Sequence, residues 1–185
     1  MIEGKNINLR LIRKEDLDEI LELGNNLANR GEFLGLELAS EVSMKKHFDE
    51  TGYWNKDFGE MVITDKAGNI LGDIIFFRGM KGCEGYEIGY QIYRQENRGK
   101  GYITEALKLF SAYLFELRPI NRLEICVFNS NIPSRRVAEK CGYVYEGTMR
   151  QAYFARGKYH DLQLFSILRE ECPLLNELVK KFWVK

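Results

Sequence analysis

The sequence has no surplus of either charge. Lys and Arg number 27, Asp and Glu number 27, and the formal net charge over 185 residues is zero. A polyanion-binding surface needs an excess of cations, so nucleic acid is not expected as a main partner. The charged runs are short and mixed in sign, as on solvated faces. No apolar run approaches bilayer-spanning length, and Met1 to Lys5 leads into a strand pattern with no leader-like stretch, so no membrane association is expected. Histidine is nearly absent: His47 and His160 lie far apart and at no ligand-like spacing from the cysteines, so no metal site is expected. Cys83, Cys126, Cys141 and Cys172 form no C-x-x-C pair, which fits reduced thiols in the cytoplasm. Repeats, low-complexity tracts and linkers are also missing. One domain over residues 1–185 is expected, with its core over residues 7–170 and a helix over residues 171–185.

The patterns that are present alternate between two periods. Ile7, Leu9 and Leu11 alternate with polar residues, as in a half-buried strand. Lys14-Glu15-Asp16 opens a helix with Leu17, Ile20, Leu21, Gly24 and Leu27 on one face. Ser43 is the expected cap of a second helix ending near Gly52. Strands are expected over Glu60–Thr64, Ile70–Arg78 and Tyr86–Tyr93, as an antiparallel meander with a hairpin turn at residues 65–69 and a loop over residues 79–85. A helix carrying Ile103, Leu107, Phe110, Leu114 and Leu117 follows and stops at Arg118-Pro119. Next come a strand at Leu123, Ile125 and Val127, a helix from Pro133 to Lys140 ended by Gly142, and strands over residues 144–150 and 161–168. Leu175, Leu178, Val179 and Phe182 mark a last amphipathic helix, able to pack on the domain or to meet a second copy in a homodimer. The order gives an α+β fold: helices on a single mixed, mostly antiparallel sheet.

The most informative stretch is Gln95-Glu96-Asn97-Arg98-Gly99-Lys100-Gly101-Tyr102, running into Ile103 and Thr104. It joins a strand to a helix N-terminus. Gly99 and Gly101 let the main chain approach a ligand, the helix start supplies unsatisfied N–H groups, and Arg98 and Lys100 add cations. Such a turn suits a phosphate or diphosphate. It is neither a Walker loop, which needs G-x-x-x-x-G-K-[ST], nor a Rossmann fingerprint, whose third glycine would fall at Thr104. A different nucleotide-phosphate binder using the same turn stays open.

Arg98-Gly99-Lys100-Gly101-Tyr102-Ile103 resembles the acyl-CoA-binding motif of the GNAT superfamily of N-acetyltransferases, Arg/Gln-x-x-Gly-x-Gly/Ala, with Ile103 where the motif has a small residue. Glu87-Ile88-Gly89-Tyr90, Thr104-Glu105-Ala106-Leu107, Asn131-Ile132-Pro133-Ser134, Glu139-Lys140-Cys141-Gly142-Tyr143 and Glu146-Gly147 resemble the branch that includes ribosomal-protein N-terminal acetyltransferases. The likeness spans residues 7–170. It implies a GNAT-like α/β/α sandwich and an acetyl-CoA-dependent N-acetyltransferase, with acetyl-CoA as cosubstrate and an amine as acceptor. That amine is either a protein N-terminal α-amine or a small-molecule amine. The alternative is a non-catalytic acyl-CoA-binding or sensing module.

The resemblance also assigns residues. Arg98, Gly99, Lys100, Gly101, Tyr102, Ile103 and Thr104 would hold the diphosphate. Gln91, Ile92 and Tyr93, on a strand that splays from its neighbour, would offer main-chain groups to the pantetheine arm, and Asn131 would hydrogen-bond it. Arg136 and Lys140 could reach the nucleotide phosphates. Glu87 is the first candidate for general base; Glu105, at a helix start, is better read as a dipole partner or cap. Many members place an acidic tyrosine where this chain has Ala138, and Ser134 is the substitute. Phe33, Leu34, Leu36, Tyr53 and Trp54 are candidates for the acceptor wall. No Ser/His/Asp arrangement presents itself, and direct attack of the amine needs no covalent enzyme intermediate.

Overall fold

The computed structural model describes residues 1–79 and 84–183, with side chains given up to Val179. Its elements are β1 (Ile2–Glu3), β2 (Asn8–Leu11), α1 (Leu17–Asn25), α2 (Glu41–Thr51), β3 (Phe58–Thr64), β4 (Ile70–Arg78) and β5 (Gly85–Ile92). Then come α3 (Tyr102–Leu117), β6 (Arg122–Phe128), α4 (Ile132–Lys140), β7 (Val144–Ala155), β8 (Lys158–Leu168) and α5 (Leu175–Trp183). Short 3-10 turns precede α1 and α3 and follow β8. The strands form one eight-stranded sheet in the order β1-β2-β3-β4-β5-β6-β8-β7. All neighbours are antiparallel except β5 and β6. Those two are joined through α3, a crossover that parallel pairing requires.

The period of two divides the apolar residues between two faces. Met61, Ile63, Ile74, Phe76, Ile88, Leu123, Ile125 and Phe165 meet Leu107, Phe110 and Leu114 of α3 in the larger cluster. Val62, Ile70 and Tyr93 turn to the other face, where Leu17, Ile20, Leu23 and Met44 of α1 and α2 cover them. The result is the expected α/β/α sandwich. Leu175, Leu178 and Val179 of α5 pack against the larger cluster, so that part of the last helix spends its apolar face on the domain. The loop expected over residues 79–85 falls largely, with Cys83, outside the described residues, as does the side chain of Phe182.

The structure departs from the sequence patterns at several positions. α2 is capped by Ser40, not Ser43: Ser40 has extended dihedrals and its oxygen accepts from the Ser43 N–H, which places Ser43 inside the first turn. Gly52 ends that helix in the left-handed region at φ 60°. Leu11, Leu27 and Leu117 complete apolar periods in the sequence but are exposed: Leu11 and Leu117 are the last residues of β2 and α3, and Leu27 lies past the end of α1. β7 and β8 run longer than expected and meet at Arg156-Gly157, both with positive φ, the geometry of a tight two-residue hairpin turn.

Trp54, expected on the acceptor wall, belongs to the core. Its ring lies 5.2 Å from Phe76, 6.4 Å from Phe110 and 6.1 Å from Tyr113. Gly59 leaves room for it, since a Cβ there would come within 2.7 Å of the indole. Trp54→Ala is therefore expected to cost about 3 kcal/mol of stability in urea unfolding through loss of packing.

Candidate functional site

β5 and β6 pair only over Gly85–Glu87 and Arg122–Glu124. Beyond Glu87 the strands part. β6 stays paired to β8 along its length, and β5 stays paired to β4, so each turns one unpartnered edge into the gap. The space between them belongs to a cleft of about 830 Å³ that reaches the N-terminus of α3. Main-chain alternation decides which groups of β5 face it. The Tyr93 N–H donates to Leu71 O on β4, while Ile92 O is turned outward and accepts from Arg98. By the same alternation the main chain of Tyr90 faces the gap, and that of Gln91 faces β4.

At the far end of the cleft the chain passes Gly99 and Gly101, at φ 74° and 84°, into α3. These glycines are required by conformation, since a Cβ at either would meet nothing within 4 Å but would be strained. The open space before them is the approach a ligand would use. The first helical bond is from Glu105 N–H to Gly101 O, and α3 has no side-chain cap. The N–H groups of residues 99–104 thus find no protein acceptor among the described residues, and they sit at the positive end of a helix of 16 residues. Arg136 and Lys140 of α4 line the same cleft.

The structure separates the expected site residues into groups. Gly99, Gly101, Tyr102, Ile103, Thr104, Ile92, Asn131, Ser134 and Glu87 line the cleft together. Lys100 is exposed beside it, with its ammonium toward Asn97. Tyr93 faces away: its hydroxyl donates to Asp73 at 2.6 Å, and its N–H is held by β4. Gln91 borders the cleft through its side chain, which donates to Asp73 at 2.6 Å. The Arg98 guanidinium donates to the carbonyls of Ile92 and Asn29, so it ties the cleft loop to the segment between α1 and α2. Asn131 caps α4 by accepting from the Ser134 N–H at 3.1 Å. Glu105 accepts from the Asn6 main chain and side chain, fixing the β1–β2 turn to the start of α3.

Glu87 stands where β5 and β6 begin to part. Burial pushes its carboxyl upward, the Cys126 thiol donating to it opposes this, and Glu124 adds like charge. Burial and Glu87 together push the Cys126 thiol up to about 12. Glu124 is 2% exposed, in parallel register with Glu87, and lies 2.7 Å from Arg122 Nε. Further along β5, the Tyr90 side chain bridges the gap to α4: its hydroxyl lies 2.9 Å from Ser134 Oγ. Burial pushes that phenol up to about 12. The cleft therefore holds a carboxylate with raised proton affinity at one point and a hydroxyl pair at another.

The mouth of the cleft is formed by the segment between α1 and α2 and by the β7–β8 hairpin. Phe33 and Leu34 line it, with Phe33 6.0 Å from Phe128 and Phe128 5.5 Å from Tyr153. Leu36 is 50% exposed and is not among the lining residues, because the chain turns outward before α2. Arginines hold this segment by its carbonyl groups. Arg30 donates to Gly24, Gly35 and Glu37, Arg98 to Asn29, and Arg156 to Gly31 and Leu34. Tyr53 lies on the other side of Gln91, in a neighbouring space lined by Glu60, Asp73 and Tyr93. Sequence patterning missed Glu60, Asp73 and Glu124, since a carboxylate in an alternating strand reads as solvent-facing. The one available signal was Asp73 inside the near-continuous apolar run of β4.

A family model described as an acetyltransferase (GNAT) domain matches residues 6–144. Over 176 residues the chain is 30% identical to a putative ribosomal N-acetyltransferase, YdaF, of Bacillus subtilis, covering 91% of this chain and 94% of that protein. Over 111 residues it is 27% identical to the ribosomal-protein-serine acetyltransferase of Escherichia coli, covering 60% and 62%. The crystal structure of a Vibrio cholerae spermidine N-acetyltransferase in complex with CoA and spermine superposes with a TM-score of 0.77 at 22% identity, covering 90% of this chain and 97% of that one.

Glu60 and Asp73 also bear on stability. Burial pushes Glu60 to about 8, with Asp73 adding like charge, and burial pushes Asp73 to about 6 against hydrogen bonds from Tyr93 and Gln91. The folded chain then holds protons that the unfolded chain releases. The stability this supplies is complete below the ordinary carboxylate range and is lost as pH rises through about 6 and about 8. In urea unfolding at about pH 5, 7 and 9, Glu60→Gln is expected to gain stability relative to wild type as pH rises, because the amide cannot ionise.

Proposed function

The chain belongs to the GNAT acetyltransferase family and is an N-acetyltransferase, and from that premise we propose that acetyl-CoA lies in the gap between β5 and β6 with its diphosphate on the N–H groups of residues 99–104. The observation that carries this reading is the run of unpartnered N–H groups at the start of α3, facing the cleft into which β5 and β6 turn their free edges. Tyr90 main-chain groups on the β5 edge would pair with the amides of the pantetheine arm, as an added strand would. The Asn131 side-chain N–H₂, which has no acceptor among the described residues while its oxygen caps α4, would donate to the same arm. Arg136 and Lys140 would lie beside the nucleotide phosphates. Arg98 acts at one remove, by fixing the loop through Ile92 O and Asn29 O.

Acetyl-CoA supplies an activated acyl group, and the protein supplies position and proton handling. Glu87, at the point where the strands part, takes the proton that an ammonium acceptor must lose before its nitrogen attacks. Its raised proton affinity suits that task. The new N–C bond forms as the C–S bond breaks; the nitrogen's second proton leaves through the Ser134–Tyr90 hydroxyl pair, which passes a proton to the departing thiolate and is itself restored, and Glu87 returns the first proton to solvent. Direct attack within one cleft draws its rate mainly from proximity and orientation. The acceptor is an amine, entering past Phe33 and Leu34; a protein N-terminal α-amine and a small-molecule amine both fit that route. Cys126, Cys141 and Cys172 are free thiols, which supports a reducing compartment, the cytoplasm.

Gly101→Asp is expected to weaken CoA binding by about two orders of magnitude, through backbone strain and a carboxylate beside the diphosphate. Gly68→Asp, at φ 96° in a turn away from the cleft, is the control and is expected to leave affinity unchanged. Equilibrium titration with CoA reads both. Glu87→Gln is expected to lower kcat/KM by about 10²–10⁴-fold and to abolish an acid limb that, in wild type, lies above the ordinary carboxylate range. A pH–rate profile of thiol release checks it, and an unchanged profile removes Glu87 as base.

A further inference from the structure

Beneath α1 and α2 lies a second cavity, of about 600 Å³, which shares Arg30 and Gln91 with the cleft. Its floor is the sheet. Glu60 on β3 and Asp73 on β4 project from the same face of neighbouring strands, as the register Glu60↔Ile75 and Val62↔Asp73 requires. Asp73 is 5% exposed and is fixed by Tyr93 and Gln91. Glu60 is different. Its carboxylate is enclosed deeply enough for burial to dominate its titration, it lines the cavity, and no hydrogen-bond or ion-pair partner accompanies it among the described residues. Removing a charge from water without a partner is costly, and a paired cation offsets the cost.

We propose that this chamber is an acceptor subsite, binding a cationic ammonium group that the acceptor carries at a distance from the amine to be acetylated. The inference builds on the cleft being the acyl-donor site. Gln91 stands between the two spaces: it borders the cleft and its amide holds Asp73, so an acceptor reaching from one to the other passes its side chain. Glu60, Ile75 and Gly89 lie in line across β3, β4 and β5, and Glu87 is two residues before Gly89. Strand spacing of about 4.8 Å and a rise of about 3.3 Å per residue put the Glu60 and Glu87 main chains roughly 12 Å apart. A linear diamine of about eight methylenes spans that distance.

The other charged and titratable groups around the chamber leave the role of counter-ion open. Arg30 at the rim donates to the carbonyls of Gly24, Gly35 and Glu37. The side chain of Glu37 adds negative charge at the opening. Tyr53 and Tyr93 are phenols raised by burial, the former to about 12, and Glu19 adds like charge toward Tyr93. His47 lies outside, edge-on to Tyr53 at 4.6 Å. Burial makes both carboxyls hold their protons to higher pH than free carboxylates do, so an entering ammonium favours proton release.

The test uses the intact protein, 1,8-diaminooctane and octylamine. Calorimetric titration near pH 7.5 in phosphate and in Tris is expected to show the diamine binding about tenfold or more tightly than the monoamine, with release of protons to the buffer. Glu60→Gln is expected to remove both the preference and the proton release; Asp73→Asn, which keeps acceptor capacity for Tyr93 and Gln91, is expected to weaken the preference. Equal binding of the two amines, or proton release unchanged in Glu60→Gln, overturns the proposal. Thiol release from acetyl-CoA separates it from the assignment beneath it. Diamine binding with proton release but no thiol from either amine overturns the acceptor role of the chamber, and the cleft assignment then stands or falls separately on titration of the same protein with CoA. Equal kcat/KM for both amines, unaltered in Glu60→Gln, overturns the chamber and upholds the cleft.

Discussion

The parting of β5 and β6 after Glu87 is the constraint on which the rest of the molecule turns. Within a sheet, main-chain donors and acceptors are consumed by neighbours, and a gap leaves them without partners. Here each strand is secured on its other side, β5 by β4 and β6 by β8, so the gap cannot close by sliding. Tyr90 braces it by reaching Ser134 on α4. The same split carries the start of α3 to its end, because α3 is the connection that makes β5 and β6 parallel. One topological feature therefore supplies an unpartnered strand edge, an unpartnered helix N-terminus and, at the fork, a carboxyl group poised to take a proton.

Much of this was legible in the sequence where local chemistry dictates local structure. The turn at residues 95–102 could be read because positive φ demands glycine and because a helix period begins at once behind it. The strand boundaries of β4 and the stop of α3 at Arg118-Pro119 followed for similar reasons. What was not legible depends on tertiary neighbours. Ser40 and Ser43 are equivalent as caps until the main chain at residue 40 is known to be extended. Trp54 could have faced a ligand as readily as Phe76, and only Gly59, which leaves it a recess, decides. The side chain of Arg98 reads as a phosphate ligand in sequence, yet its donors go to carbonyls contributed by distant segments.

Carboxylates were the least legible of all. Period-two patterning treats every second polar residue as solvated, so Glu60, Glu87 and Glu124 looked alike. In the fold they have three environments: Glu124 lies beside Arg122, Glu87 beside a thiol in the cleft, and Glu60 in a chamber with no partner among the described residues. Proton affinity is thus distributed across one sheet by what covers each strand face. The proposed mechanism and the proposed subsite draw on the same physics, desolvation of a carboxyl group, with opposite use: one group moves a proton, the other releases its proton to solvent when a cation enters.

The segment between α1 and α2 is anchored by Arg30, Arg98 and Arg156, and every one of these contacts ends on a carbonyl oxygen. Carbonyls are common to all residue types. The side chains at the rim, Glu32, Phe33 and Leu34 among them, can therefore be exchanged while the clasp that holds their backbone persists. Selectivity for whatever enters there is uncoupled from foldability, and a library randomised over those positions would sample new recognition on an unaltered scaffold.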